Sequence, residues 1–210
     1  MMQQAGGMDV NSLMQRVRRL ATLDTTVFDE VRGDAASTVP AIVVAVVATF
    51  LTGLGGWLWW LFNGPDFEGY TTQGDIFVQS FLVGSILSIV LWGVWLGITY
   101  VLLSQMFRAR ADINELVRVM GFAAAPLALG VLLFIPVLEF AIGLTVIALF
   151  FGTTYLAVKS ATDASPGQTL VAVAAGFLVW ALVLALFVGD ENAYAPGFFI
   201  FDIGPESLRS

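Results

Sequence analysis

The sequence predicts an all-α fold, a polytopic transmembrane bundle of five helical spans. Three observations lead there. Of its 210 residues 58% are hydrophobic and only 12% charged, and the mean hydropathy is +0.87. Several apolar runs exceed the ~18 residues a helix needs to cross a bilayer. The Lys and Arg residues crowd into a few polar stretches between those runs. A chain of this length holds one membrane domain and little else. The expected division is an N-terminal region over 1–38, a membrane domain over 39–188, and a tail over 189–210.

In the first region, "DVNSLMQRVRRLA" places Val10, Leu13, Met14, Val17, Leu20 and Ala21 at helical spacing, with Gln15, Arg16 and Arg19 opposite. This pattern predicts an amphipathic helix with a basic face, resting either on an anionic leaflet or on the protein's own loops. "DTTVFDEVRGD" predicts a second short helix, with Asp24 as cap, Val27, Phe28 and Val31 on one face, and Gly33 as its stop. The first apolar run begins only near Val39, so no cleavable signal peptide is expected.

The first span is predicted over 39–62, with Pro40 in its first turn and Trp57, Trp59 and Trp60 as an interfacial belt at its far end. The second, over 76–105, would be about 45 Å long, beyond the ~30 Å hydrocarbon core, so it must tilt or project. Its two faces of small residues, Ser80, Gly84 and Ser88 against Gly93, Gly97 and Ser104, suggest a central helix with a neighbour on each side. Trp92 and Trp95 read as core packing or as the wall of an apolar cavity.

Asp112 followed by Glu115 has capping-box spacing and starts the third span at Ile113. The forty residues from Val119 to Val158 carry a single charge, Glu139. A helix that long would measure about 60 Å, so two spans are predicted, 113–134 and 137–158, turning at Pro136. Pro126 lies mid-span and should free a carbonyl near Phe122 for a neighbour to satisfy. Gly121, Ala123, Ala124 and Ala125 would let a second backbone approach there. "SPGQ" caps the fifth span, over 168–188, through Ser165, Pro166 and Gln168. In the tail, Phe198, Phe199, Ile200 and Phe201 are expected to rest on the interface.

Placing the N-terminus inside and the C-terminus outside puts Arg16, Arg18, Arg19, Arg32, Arg108, Arg110, Arg118 and Lys159 on the cytoplasmic side and leaves only Arg209 outside. In that topology Glu139 falls in the first turn of the fourth span, near the outer surface. There the helix dipole would favour it. A buried carboxylate that binds a cation or carries a proton is the other reading.

Composition narrows function. With no His and no Cys, HExxH metalloprotease, Ser–His and thiolate chemistries have no residues to use, and no metal or other cofactor is expected. Paired intramembrane aspartates, a Walker loop and a dinucleotide fingerprint are missing from the sequence, so no enzyme is expected. A net charge of −7 with one lysine argues against nucleic acid and fits a high-salt organism.

"INELVRVMGFAAAPLAL", then "IPVLEFAIGL", then the capped last span resembles the Yip1-domain family over roughly residues 24–188. The matching positions are Gly121, Phe122, Ala123, Pro126 and Leu127, then Ile135 and Pro136; "VFDEVRGD" resembles the family's prokaryotic branch. The resemblance implies a five-span integral membrane protein. Eukaryotic members associate with small GTPases and with one another. They carry an Asp-Leu-Tyr-Gly-Pro stretch that this chain lacks between Asp24 and Pro40, so GTPase binding is not carried over. The combined expectation is a multi-pass cell-membrane protein that organises membranes or binds a membrane-protein partner or a second copy of itself. The alternative is transport or binding of a small apolar or lipid-like molecule.

Overall fold

A computed structural model describes residues 10–22, 24–63, 73–186, 188–189 and 192–193. Its α-helices are α1 (Val10–Ala21), α2 (Thr26–Gly33), α3 (Thr38–Asn63), α4 (Gln73–Ile76), α5 (Gly84–Val101), α6 (Ile113–Ala123), α7 (Glu139–Ala161) and α8 (Pro166–Leu186). Five helical stretches are long and apolar enough to cross a membrane: Ala35–Phe62, Phe77–Met106, Ile113–Phe134, Glu139–Ala161 and Pro166–Leu186. Five spans are therefore found where five were expected. The fourth starts two residues late and runs three further, and the fifth is displaced by two. A two-residue antiparallel pair, Val188–Gly189 with Asn192–Ala193, follows the last span. The loop over 64–72, Phe198–Phe201 and Arg209 lie outside the described residues.

The capping chemistry sets the starts. Asp112 accepts the N–H groups of Asn114 and Glu115 at 2.8 and 3.0 Å. Glu115 does not complete a box; it reaches the Arg110 guanidinium instead, at 3.6 Å. Ser165 and Gln168 do form a reciprocal box. The Ser165 N–H donates to Gln168 Oε1 at 2.9 Å, and the Gln168 N–H to Ser165 Oγ at 3.4 Å. Asp34 accepts the Ala36 N–H as the chain enters the first span.

The third span is not a kinked α-helix. It is α-helical to Ala123 and then a ten-residue 3-10 run, Ala125–Phe134. Pro126 has no N–H, and its ring blocks continuation of the α ladder. The backbone tightens to i→i+3 bonds: Ala124 N–H to Gly121, and Leu127 N–H to Ala124. Such runs rarely exceed three or four residues, so neighbours must hold this one. At Ile135–Leu138 the chain turns, with Val137 at a φ of 71°, and the fourth span begins. The second span instead loosens, with π-helical turns at Phe77–Val83 and Leu102–Met106 flanking α5.

The third span is the central one, with 61% of its apolar window buried against 33% for the second, which corrects the expected central place of the second. First and third spans run parallel, Ala41 meeting Gly121 and Gly55 meeting Gly130. The second packs antiparallel on the fifth through Trp95 against Gly176 and Thr99 against Ala172. An aromatic cluster of Trp95, Phe150, Phe177 and Trp180 ties the second, fourth and fifth spans together, with ring centroids 5.1–6.3 Å apart. Trp95 is fully buried there, as core.

Candidate functional site in the third span and at the arginine-bearing end

The seam between first and third spans is built by glycine. A Cβ on Gly55 would lie 2.0 Å from the Gly130 carbonyl oxygen, and one on Gly121 2.6 Å from that of Ala41. Backbones therefore touch, at Gly121 in the α-helical part of the third span and at Gly130 in its thinner 3-10 part. Two threonines satisfy the carbonyls that the change of helix type frees. Thr153 Oγ1 donates to the Ala123 carbonyl at 2.8 Å, and Thr52 Oγ1 to that of Leu127. The Ala123 carbonyl, next to Phe122, is the group expected to need a neighbour; that of Leu127 was not expected.

All eight basic residues among those described gather at the other end of these spans from the tryptophans. Two of them staple helix C-termini, where carbonyls lack partners and the dipole is negative, and a third holds a loop carbonyl. Arg118 Nη2 donates to the Arg32 carbonyl near the end of α2, and Arg32 Nη1 to the Ser160 carbonyl near the end of α7. Lys159 Nζ donates to the Ala164 carbonyl just beyond α7. A cavity of about 260 Å³ opens here, lined by Arg32, Gly33, Arg110, Glu115, Thr162 and Asp163. Asp163 Oδ1 accepts the Arg110 N–H at 2.7 Å.

The basic face of α1 meets the chain's own acids. Arg16 pairs with Asp34 at 3.3 Å and donates to Ser37; Arg19 pairs with Asp24 and Glu30, both at 2.8 Å. Leu20 is buried beneath them while Met14 stays exposed. Of the two sequence readings of α1, the geometry favours packing on the protein itself. Each carboxyl is held below its ordinary pKa. The first cause is the Thr26 hydroxyl for Asp24, the Arg19 guanidinium for Glu30 and the Ser37 hydroxyl for Asp34.

A model of the Yip1 domain matches residues 23–189. The chain belongs to the Yip1 domain family. It is a multi-pass membrane protein of that family. No curated protein and no solved structure matches it.

In this Yip1 domain the motif residues stand at the seam and its turn. Gly121, Phe122, Ala123 and Leu127 are buried against the first and fourth spans. Pro126 sets the change of helix type, and Ile135–Pro136 make the exposed turn. Gly93 and Gly97 are elsewhere: a Cβ on either would meet nothing within 4 Å. Glu139 stands in the first turn of α7, partly buried, and its Oε2 is buried with no hydrogen-bond partner among the described residues. The sequence reading missed Thr52, Thr153, Gly55 and Gly130, and used Arg32 and Arg118 only as topological charges. Its one available signal was a threonine in the middle of each of two apolar spans.

Proposed function

We propose that this Yip1-domain protein is a non-enzymatic module of the cell membrane that organises the bilayer or binds another membrane protein or a second copy of itself. Its arginine-bearing end and N-terminus lie inside, and its C-terminus outside. The observation that carries the reading is the face of Gly93 and Gly97. Packing within the chain leaves it uncovered, and small residues are what a second transmembrane helix needs for close approach. The eight basic residues gathered at one end support the sidedness.

The test is isolation from native membranes in mild detergent, comparing wild type with Gly93→Leu/Gly97→Leu. Wild type should come out with a stoichiometric protein partner or as an oligomer, and the double variant as a folded monomer. Assembly unchanged by the substitutions would remove these glycines as the interface. A protein that comes out alone, with a reproducible bound lipid, would overturn the module in favour of lipid handling. For sidedness, a cysteine at Thr71 should react with an impermeant reagent in intact cells and one at Ala109 should not; the reverse would invert the topology.

A further inference from the structure

One side of α1 is accounted for by the chain. Leu20 is buried, Leu13 and Val17 pack on the core, and Arg16 and Arg19 pair with Asp34, Asp24 and Glu30. The other side is open. Asn11, Met14, Gln15 and Arg18 are exposed at positions that share a helix face, Met14 by 62%. What this face meets follows from how deep the helix lies.

Besides α2, α1 packs on the 3-10 run Ala125–Phe134. A 3-10 residue rises about 2.0 Å and an α-helical one about 1.5 Å. With the turn at Ile135 and Pro136 on one edge of a hydrocarbon core about 30 Å thick, the other edge falls near Arg118, and Ala125 lies about 10 Å inside it. A helix that touches this run therefore lies in the leaflet at the arginine-bearing end, not above it. The first span carries exposed apolar side chains at the same level. Val39 is 60% exposed and Ile42 42%, on either side of Ala41, which meets Gly121.

The chemistry of the open face narrows what covers it. Acyl tails suit Met14 but not Gln15 or the Arg18 guanidinium; the boundary between headgroups and tails suits all three, since a long basic side chain can reach outward to phosphate. Charge gives no selection beyond that. Arg16, Arg18 and Arg19 stand against Asp24, Glu30 and Asp34, three against three, so the contact of α1 with α2 has no excess that calls for an anionic lipid. We propose that the open face of α1 is seated on phospholipid headgroups, with Met14 toward the tails and Arg18 on phosphate oxygens, in zwitterionic lipid as readily as in anionic lipid. The helix is then held by the protein on one side and by the leaflet on the other. This contact goes beyond the assembly reading and does not rest on Gly93 and Gly97.

The chain has no cysteine, so single cysteines carry spin labels without further change. Labels replace Met14, Gln15 and Arg18 in the full chain, reconstituted in phosphatidylcholine vesicles. Leu129, exposed in the third span, is the reference for tails, and Arg110, whose side chain is 79% exposed, the reference for water. Power saturation compares oxygen with a water-soluble nickel chelate, and a nickel-chelating lipid marks the headgroup layer. The proposal expects oxygen-to-nickel ratios at all three sites between those of the references and several-fold above that of Arg110. It also expects the nickel lipid to relax these three labels more than either reference. Replacing part of the phosphatidylcholine with phosphatidylglycerol should leave the ratios unchanged. The contact is refuted by labels that match Arg110, which places α1 in water. It is refuted equally by labels that match Leu129 and ignore the nickel lipid, or that neither reagent reaches, as under a second protein. Ratios that rise only with phosphatidylglycerol would overturn the charge-neutral surface. Repeating the set in Gly93→Leu/Gly97→Leu separates the two readings, because the labels should not respond to loss of assembly.

Discussion

Gly55 and Gly130 belong to no short motif, yet they are where two backbones touch. Gly93 and Gly97 form a GxxxG pair and touch nothing within the chain. The difference teaches what a glycine in a membrane helix encodes. It offers close approach, but the partner's shape decides whether the offer is taken. Beyond Pro126 the third span narrows to a 3-10 helix, and the first span can close onto it at Gly55. The second span turns its Ser80, Gly84 and Ser88 face inward, all buried, and leaves the glycine pair on its other side.

The comparison breaks most sharply at the seam. Gly55→Ala or Gly121→Ala sets a methyl against an immovable carbonyl, so each should cost about 3 kcal/mol, the upper end for overpacking. Thermal unfolding and the yield of monodisperse protein measure it. Gly93→Ala, in a detergent-isolated monomer, should shift stability by less than about 0.5 kcal/mol. Equal melting of the Gly55 and Gly93 variants would mean that the seam does not hold the bundle.

Gly176→Ala is the intermediate case. Its methyl would fall 2.1 Å from Cδ1 of Trp95, a side chain locked by Phe150, Phe177 and Trp180, and a milder 2.9 Å from the Trp95 carbonyl oxygen. A loss of about 1–3 kcal/mol is expected, with a changed near-ultraviolet dichroism from the displaced rings. Thr52→Val and Thr153→Val should cost less, about 0.5–1.5 kcal/mol each, as interhelical hydrogen bonds in membranes do. Combined with Gly55→Ala, Thr52→Val should add little, because that contact is already broken.

The five spans, the Asp112 cap and the Ser165–Gln168 box were legible because hydropathy and capping are local properties. So was the close approach at Gly121, from the run of small residues around it. The 3-10 run was not legible beyond its cause. Pro126 announces a disturbance, but its outcome depends on Thr52 and Thr153, 74 and 27 residues away in sequence. The centrality of the third span was hidden for the same reason, since nothing local says which face meets what. Arg118 looked like one more topological charge. Its place under the end of α2, where it donates to the Arg32 carbonyl, is set by tertiary packing and not by its neighbours in sequence.

The smallest effect sharpens a second contrast, between this apolar interior and the charged contact of α1 with α2. Asp24, Glu30 and Asp34 titrate below their ordinary values in the folded protein. The unfolded chain therefore binds protons first as the pH drops. The contact keeps its full strength above the ordinary carboxylate pKa of about 4 and weakens as the pH falls through the lower folded values. These pairs are a quarter to nearly half exposed on their side chains, so water and salt screen them and α1 should loosen without disturbing the spans. A spin label on a cysteine replacing the exposed Met14 should be ordered near neutrality and gain mobility toward about pH 3. Arg19→Gln removes the partner of both Asp24 and Glu30, so it should give the mobile spectrum already at neutral pH. A label that stays ordered in acid and in Arg19→Gln would show that Leu20 and its apolar neighbours hold α1 without the ion pairs.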